Sequence, residues 1–306
     1  MAGIVRNDVD CLIETQVADE IFEGTIRSSK ALSMFRRLPN ATSDKTKLRV
    51  LDSLPVSYFV DEGTNNGRKN ITKMAWDKKF INIAEIAVIV PIKENLLDDA
   101  DIDIWEQVKP RLVESAGRLI DDAIFFGTGK PTEWRAGLIP SITSVGAEVN
   151  ATANGLYSDI NDVMTKVEES GYNVNAILGG VGLKGKFRMM LDTTGQPLNT
   201  TEIGSIPRYF MDNGVWDKTK STLVVGDFSQ AVYQMRKDIT YKVLTEAVIQ
   251  DPSTGEILYN LAQDDMVALR VTMRLGWEIP NPVNAENETS SRFPFASLKP
   301  GSTPSL

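Results

Sequence analysis

The strongest candidate for a nucleotide site is a glycine-rich segment at residues 180–187. Gly180, Gly185 and Lys186 fit the pattern GxxxxGK, in which backbone N–H groups hold phosphates and the lysine lies beside them. The segment follows an apolar run and precedes a predicted short helix, as this chemistry requires. Phe187, however, stands where a Ser or Thr hydroxyl would bind Mg²⁺. An ordinary turn between a strand and a helix is therefore favoured over a phosphate site.

The composition excludes several enzyme classes. The chain contains no histidine, which removes the usual general base, every Ser-His-Asp arrangement and the HExxH metal class. Cys11 is the single cysteine, so an intrachain disulfide and a cysteine-based metal site are excluded. Neighbouring carboxylates point to different sides of a helix or strand, and we interpret them as solvated faces: Asp98/Asp99, Asp121/Asp122 and Asp264/Asp265. We predict no catalytic residue, no cofactor and no metal site, and a protein that is not an enzyme.

The charge pattern bears on nucleic acids and membranes. The 306-residue chain has a formal net charge of −8, and its densest basic stretch, Lys45, Lys47 and Arg49, lies beside Asp44 and Asp52. We therefore expect no tight binding of duplex DNA. The N-terminus lacks the pattern of a secretory signal, and the longest apolar run is far too short to span a bilayer. We expect a protein that is made in the cytosol and has no membrane partner.

Hydrophobic spacing of three and four predicts two helices in the first half of the chain. The first covers residues 11–36. The second, the longest of the chain, begins after an Asp101 or Asp103 cap and ends at Gly127. Pro110 falls inside this pattern, so either a short helix ends there or a second helix begins with it.

Period-two spacing predicts a long hairpin of two strands at residues 47–60 and 73–83. The tip between them is polar and contains glycine. The faces of this hairpin are too polar to be buried in their own subunit, and an isolated hairpin is marginally stable. It therefore needs another surface to lie on. A denser apolar strand at 84–92 follows and is closed by Pro91.

The second half of the sequence predicts mixed helices and strands. Helices are expected at 158–170, 184–191 and 228–234. Strands are expected at 173–179, 206–211, 221–226, 239–248, 257–261 and 266–277. The tail from residue 287 is rich in Pro and Ser, and we expect it to be loose.

Six phrases of the sequence resemble, in order and spacing, the major capsid protein family of tailed bacteriophages, which has the Hong Kong 97-like fold. The resemblance runs from about Ala31 to Pro282. No phrase is specific alone, but six in the family's order make chance a poor explanation. The phrases lie at 58–64, 88–100, 121–131 with 136–138, 203–208, 223–233 and 263–277.

The resemblance implies an α+β capsid fold with four parts. These are an N-terminal arm, an extended β-hairpin loop, a peripheral domain with a long spine helix, and an axial domain with the C-terminal tail. Their expected bounds are 1–47 for the arm, 48–84 for the loop, 85–137 with 235–280 for the peripheral domain, and 138–234 with 281–306 for the axial domain.

The function implied by the resemblance is that of a structural subunit. Copies of the chain would assemble as pentamers and hexamers into an icosahedral shell, the head of a virion built in the host bacterial cytoplasm. The shell would enclose double-stranded DNA without sequence-specific binding. A portal would be a further partner of the shell. Because many relatives carry a scaffolding segment before the arm and this sequence begins almost directly with the arm, a separate scaffolding protein, or none, is expected. An encapsulin-type compartment shell and a P-loop nucleotide-binding protein remain as alternatives.

Five residues of the hairpin are the predicted contacts between subunits. Some relatives cross-link covalently from a loop lysine to an asparagine, and two of these residues are suitably placed lysines. No partner asparagine can be assigned, so cross-linking is not predicted. The candidates are Glu62, Arg68, Lys69, Lys73 and Trp76.

Overall fold

The structure is a computed structural model that describes residues 29–57, 59, 69, 71–99, 104–152, 155–190, 205–251, 253–288 and 291–301. The helices of this part of the chain are α1 (Lys30–Met34), α2 (Glu94–Asp99), α3 (Ile104–Phe125), α4 (Leu138–Val145), α5 (Leu156–Glu169) and α6 (Leu183–Arg188), with a 3-10 turn at Phe228–Gln230. The strands are β1 (Arg36–Arg37), β2 (Lys45–Ser53), β3 (Ala75–Asn82), β4 (Ala84–Lys93), β5 (Glu148–Asn150), β6 (Ala176–Gly180), β7 (Arg208–Met211), β8 (Leu223–Gly226), β9 (Val232–Leu244), β10 (Val248–Gln250), β11 (Ile257–Asn260), β12 (Met266–Glu278) and β13 (Phe295–Lys299).

A four-stranded sheet with the order β1–β9–β12–β4 forms one half of the subunit. Strand β12 pairs antiparallel with β4 from Met266 opposite Lys93 to Leu275 opposite Ala84. The strand predicted at 84–92 corresponds to β4, but Pro91 does not close it, because the strand continues to Lys93. Strand β4 is at the edge of this sheet, and edge strands are where proline is tolerated in a sheet.

A five-stranded sheet with the order β5–β13–β8–β6–β7 forms the other half. Strand β13 lies between β5, with which it pairs in parallel, and β8, with which it pairs antiparallel. The prediction of a loose tail from residue 287 is therefore wrong for its middle part. Phe293 and Phe295 are buried, and apolar burial of this kind outweighs the polar composition around it.

Helix α3 runs unbroken for 22 residues through Pro110. Neither predicted arrangement, a helix that ends at Pro110 or one that begins there, is correct. Proline inside a helix removes one backbone hydrogen bond, here to the carbonyl of residue 106. Pro110 lies on the exposed side, where water can solvate the freed carbonyl. The predicted stop holds, because Gly127 follows the helix with a φ of +73°.

A contiguous hydrophobic core joins both sheets to α3. Ile120, Ile124 and Phe125 of the helix are buried in it. Phe35, just after α1, packs its ring 6.3 Å from Phe125 and 6.0 Å from Trp277 of β12. The predicted apolar stripe of α3 is correct at Leu112 and Ala123 but wrong at Leu119, which is 45% exposed.

Several predicted boundaries differ from the observed ones. Of the helix predicted at 11–36, residues before 29 lie outside the described residues, and the described part ends at Met34. The first hairpin strand ends at Ser53 rather than at 60. The helix predicted at 228–234 is only a 3-10 turn, since β9 begins at Val232. Helix α4 and the short strands β5 and β10 were not predicted.

Candidate assembly surface

Strands β2 and β3 form the predicted hairpin. They pair antiparallel from Lys45 opposite Asn82 to Leu51 opposite Trp76, with a bulge before the last pair. Side chains alternate between the two faces of a strand, and one face is directed at the body of the subunit. There Val50 and Ile81 are buried, and Ile81 joins a small cluster with Val232 of β9. The other face is directed outward.

The outward face carries large side chains that the described part of the subunit leaves exposed. Trp76 is 62% exposed, and Phe80, four residues further along β3, is exposed on the same face. The Lys45 ammonium lies 4.4 Å from the centre of the Phe80 ring, a distance typical of a cation–π contact. Nearer the tip, Phe59 and Ile71 are 98% and 92% exposed. A concentration of exposed apolar groups on one element indicates an interaction site.

Three hydrogen bonds fix the hairpin to the body of the subunit. Lys79 Nζ donates to the carbonyl of Ile279 at 3.3 Å, and Asn82 Nδ2 donates to the carbonyl of Glu133 at 2.7 Å. The backbone N–H of Val283 donates to the carbonyl of Leu51 at 2.9 Å. Burial lowers the pKa of Lys79 from its ordinary value, an effect that nearby Glu278 opposes.

A largely buried ion pair lies next to Ile279, the residue whose carbonyl binds Lys79. Arg135 Nη1 donates to Glu278 Oε1 at 2.8 Å, and both side chains are largely buried. Burial lowers the pKa of Arg135, while Glu278 raises it. The guanidinium also lies 5.4 Å from the Trp277 ring. Loss of either partner would leave an uncompensated buried charge, so the pair is costly to separate. It therefore fixes the end of β12 and the Ile279 carbonyl that accepts a hydrogen bond from Lys79.

A second buried carboxylate anchors the start of the described chain. Asp121 of α3 accepts hydrogen bonds from Ser29 Oγ at 2.7 Å, from the backbone N–H groups of Lys30 and Ala31, and from Asn213 Nδ2 at 2.6 Å. Burial raises the pKa of Asp121, and these hydrogen bonds oppose the shift. The prediction that this carboxylate lies on a solvated face is wrong. It caps the first turn of α1 and fixes α1 against the spine helix.

The glycine-rich segment forms a strand-to-helix turn between β6 and α6. Phe187, at the position where a phosphate site needs a hydroxyl, is buried in the core around α5. Lys186 borders a cleft of about 140 Å³ that is also lined by Trp216 and Lys218. The carboxylate of Asp227, after β8, accepts from Ser229 and Gln230 and so caps the 3-10 turn. These contacts are structural.

Within the described ranges, no group of three or more Cys, Asp or Glu side chains lies close enough together to hold a metal ion. Over the same residues, no helix has the length and apolar character needed to cross a bilayer.

The predicted contact residues are only partly within the described chain. Lys69, Lys73 and Trp76 are exposed, whereas Glu62 and Arg68 lie outside the described residues. The prediction missed the residues that share the outward face with Trp76. They could have been found from the alternation of the strands, because every second residue of β2 and β3 belongs to this face. The missed residues are Lys45, Lys47, Arg49, Lys78 and Phe80.

Comparison with known proteins identifies the family. A model of the Phage capsid family matches residues 10–285. The chain belongs to this family. It is similar to the major capsid protein of Staphylococcus phage 80alpha, with 21% identity over 277 residues, which cover 88% of this chain and 82% of the relative.

Solved structures agree with this assignment. A chain from Microbacterium phage Oxtober96 is 32% identical with a TM-score of 0.79 and covers 89% of this chain and 91% of its own length. A chain from Mycobacterium phage Adephagia is 26% identical with a TM-score of 0.79 and covers 90% and 91%. The predicted Hong Kong 97-like capsid fold is confirmed. The protein is a major capsid protein that forms the phage head shell, and neither the encapsulin-type nor the P-loop alternative is supported.

Proposed function

We propose that copies of this subunit assemble as pentamers and hexamers into an icosahedral head, and that the β2–β3 hairpin is the principal contact between neighbours. The observation that carries the proposal is the exposed outward face around Trp76, on a hairpin whose base is held rigidly by Asn82 and Lys79. A pre-organised, exposed surface loses little entropy on binding. Lys69 and Lys73 lie on the same segment and are proposed to contact the neighbour as well.

The proposed division of the chain follows the two sheets. The peripheral domain would consist of 85–137 and 235–280, which contain α3 and most of the four-stranded sheet. The axial domain would consist of 138–234 and 281–306, which contain all five strands of the other sheet. Residues 48–84 would be the extended loop and 1–47 the arm.

The proposed role is mechanical rather than catalytic. The glycine-rich turn has a buried phenylalanine where a phosphate site needs a hydroxyl, and the sequence contains no histidine. We propose assembly in the host bacterial cytoplasm, with a separate scaffolding protein and a portal. The enclosed double-stranded DNA would be held without sequence-specific contacts.

Deletion of residues 61–70 tests the proposal. The shortened hairpin keeps its anchored base, so we expect a soluble, folded subunit that no longer forms closed shells in electron micrographs. Trp76→Ala should lower the shell yield while leaving the melting temperature of the subunit unchanged, and Trp76→Phe should retain most of the yield. Closed shells of normal size and number from the deletion variant would refute the proposed role of the hairpin.

The contents of the particle test the proposal that the shell encloses double-stranded DNA without sequence-specific contacts. Shells purified from infected cells should contain double-stranded DNA, and the DNA should show no enrichment of a short sequence at the wall after nuclease treatment. A shell filled with a protein cargo would instead indicate a cellular compartment.

A further inference from the structure

A turn that carries the dipeptide Asn213–Gly214 lies between β7 and β8. Asparagine followed by glycine is chemically labile, because the backbone nitrogen of the glycine can attack the side-chain carbon of the asparagine and form a five-membered imide. Glycine has no Cβ to hinder this approach. The sequence contains two further dipeptides of this kind, at 66–67 and 154–155. Of the three asparagines, only Asn213 is among the described residues.

The backbone nitrogen of Gly214 is open to this reaction. Gly214 is exposed and has a φ of +76°, and its N–H donates no hydrogen bond to another described residue. A Cβ placed on Gly214 would meet no atom of the described chain within 4 Å, so this side of the turn is uncovered. The nucleophile is therefore accessible to water and has no competing hydrogen bond within the described chain.

The side chain of Asn213, by contrast, is held by two hydrogen bonds. Its Nδ2 donates to Asp121 Oδ2 at 2.6 Å, and its Oδ1 accepts from the N–H of Val215 at 3.3 Å. The first bond ends on a buried carboxylate, and a bond to a charged acceptor is about twice as strong as a neutral one. Nδ2 is also the atom that leaves as ammonia during deamidation. The reaction therefore requires that the bond to Asp121 open.

We propose that Asn213 is a site of spontaneous deamidation and that its hydrogen bond to Asp121 controls the rate. When this bond opens, the Gly214 nitrogen forms a bond to Cγ of Asn213 and gives its proton to water. The Cγ–Nδ2 bond breaks, and Nδ2 takes up a proton and leaves as ammonia. A water molecule then opens the imide at either of its two carbonyl carbons, which gives aspartate or isoaspartate. Water is the only other reactant.

The product loosens the attachment of α1 to α3. A carboxylate at position 213 replaces a hydrogen-bond donor with a second anion beside Asp121, and two carboxylates at that distance cannot both stay ionised. Lys30 cannot offset both, because its ammonium already lies 3.9 Å from Asp212. Asp121 also accepts from the N–H groups of Lys30 and Ala31 at the start of α1, so the repulsion acts on that junction. The loosening is irreversible, since the amide is not re-formed.

Mass spectrometry of aged subunits tests the reaction. The purified full chain is held in mildly alkaline buffer made with oxygen-labelled water, and conversion at position 213 is followed in digests. We expect aspartate and isoaspartate together, each with one oxygen from the water, because both arise from one imide. The peptide that contains the 154–155 dipeptide serves as the internal clock. Gly214→Ala should slow the conversion at 213 several-fold relative to that clock, since a Cβ hinders the attack, and a melting curve verifies that this variant is folded.

Removal of the acceptor tests the control by Asp121. Asp121→Ala should raise the rate at 213 about tenfold relative to the clock, because the lost hydrogen bond ends on a charged group. Asp122→Ala is the matched control and should leave the rate unchanged. Wild type unfolded in urea gives a second measurement that does not depend on the folding of a variant. There the bond is absent, and the rate at 213 should rise as it does in Asp121→Ala.

Asn213→Asp imitates the product. It should lower the melting temperature of the subunit by several degrees, because it brings the second carboxylate to Asp121. Asn213→Asp combined with Asp121→Asn restores one amide and one carboxylate at this contact, and it should recover part of the loss.

Three outcomes would overturn the inference. The first is an unconverted Asn213 in wild type after the 154–155 dipeptide has reacted to completion. The second is an equal rate at 213 in folded wild type, in folded Asp121→Ala and in urea, which would show that the hydrogen bond controls nothing. The third is a melting temperature of Asn213→Asp equal to that of wild type, which would remove the effect on the junction.

Discussion

Ser29 Oγ donates a hydrogen bond of 2.7 Å to the buried carboxylate of Asp121, 92 residues away in the chain. Two backbone N–H groups of α1 and the side chain of Asn213 donate to the same carboxylate. One side chain of the spine helix therefore holds the point at which the N-terminal segment meets the body.

Replacement of Asp121 by alanine should strongly destabilise the subunit. It leaves the Ser29 hydroxyl, the N–H of Ala31 and the Asn213 amide without their acceptor, and a charged hydrogen-bond network of this kind is worth about 3 kcal/mol. Urea unfolding measures the loss. Asp122→Ala is the matched control, since this neighbour accepts none of these bonds, and it should change the free energy of unfolding by less than about 0.5 kcal/mol. Equal effects of the two variants would contradict the assigned role.

The same carboxylate should make stability depend on pH. Burial raises the pKa of Asp121 above 3.8, its ordinary value. The folded chain then binds this proton more tightly than the unfolded chain, so the free energy of unfolding rises as the pH falls through the interval between the two pKa values. Asp121→Asn lacks this gain. The free energy of unfolding of the wild type minus that of the variant should therefore increase when unfolding is measured in steps from neutral pH down to 3.8. A constant or narrowing difference would disprove the shift.

Neighbouring residues of the glycine-rich turn should respond in opposite ways. Lys186 is exposed and Phe187 is buried. Lys186→Ala should alter neither assembly nor stability, and calorimetric titration with ATP should show no saturable binding to either the wild type or this variant. Phe187→Ala should lose about 3–5 kcal/mol of stability, because a large cavity opens in the core. ATP binding that disappears in Lys186→Ala would restore the phosphate-site interpretation.

The C-terminal strand should be essential for the fold. Phe295 is fully buried, and its ring lies 5.2 Å from that of Phe228. Phe295→Ala should therefore cost about 3–5 kcal/mol in thermal or urea unfolding. Lys299→Ala, at the exposed end of the same strand, removes only a surface ion pair with Glu148, which is worth about 0–1 kcal/mol. A small loss for Phe295→Ala would mean that β13 contributes little.

Elements with strong hydrophobic periodicity were predicted correctly from the sequence. The prediction failed where the local composition indicated one structure and contacts with distant residues or solvent favoured another. The hairpin and α3 follow from alternation and from three-four spacing. Strand β13 was missed because Pro and Ser around it indicate a loop, whereas its partners, β5, β8 and the ring of Phe228, lie far away in the chain. Pro110 was misjudged because exposure to water, which allows a proline inside a helix, is a tertiary property.

The residues of the candidate assembly surface were likewise predicted only in part. Trp76 was identified from the sequence, but the four cations on the same face of the hairpin were not, because Asp44 and Asp52 beside Lys45 and Arg49 suggested a balanced charge. Strand alternation separates neighbours in sequence onto different faces, and Asp44 is turned to Arg236. Which of these charges remain available to a partner depends on a contact 192 residues away.

The position of β13 also determines when the five-stranded sheet can be completed during translation. Strands β8 and β5 can pair with their common neighbour only after Phe295–Lys299 have been translated. A growing chain on the ribosome therefore lacks the second strand of its five-stranded sheet until residues 295–299 emerge, and the backbone edge of β8 that pairs with β13 stays unpaired until then. A chain truncated before Phe295 therefore leaves this edge of β8 unpaired and Phe228 without its ring contact to Phe295.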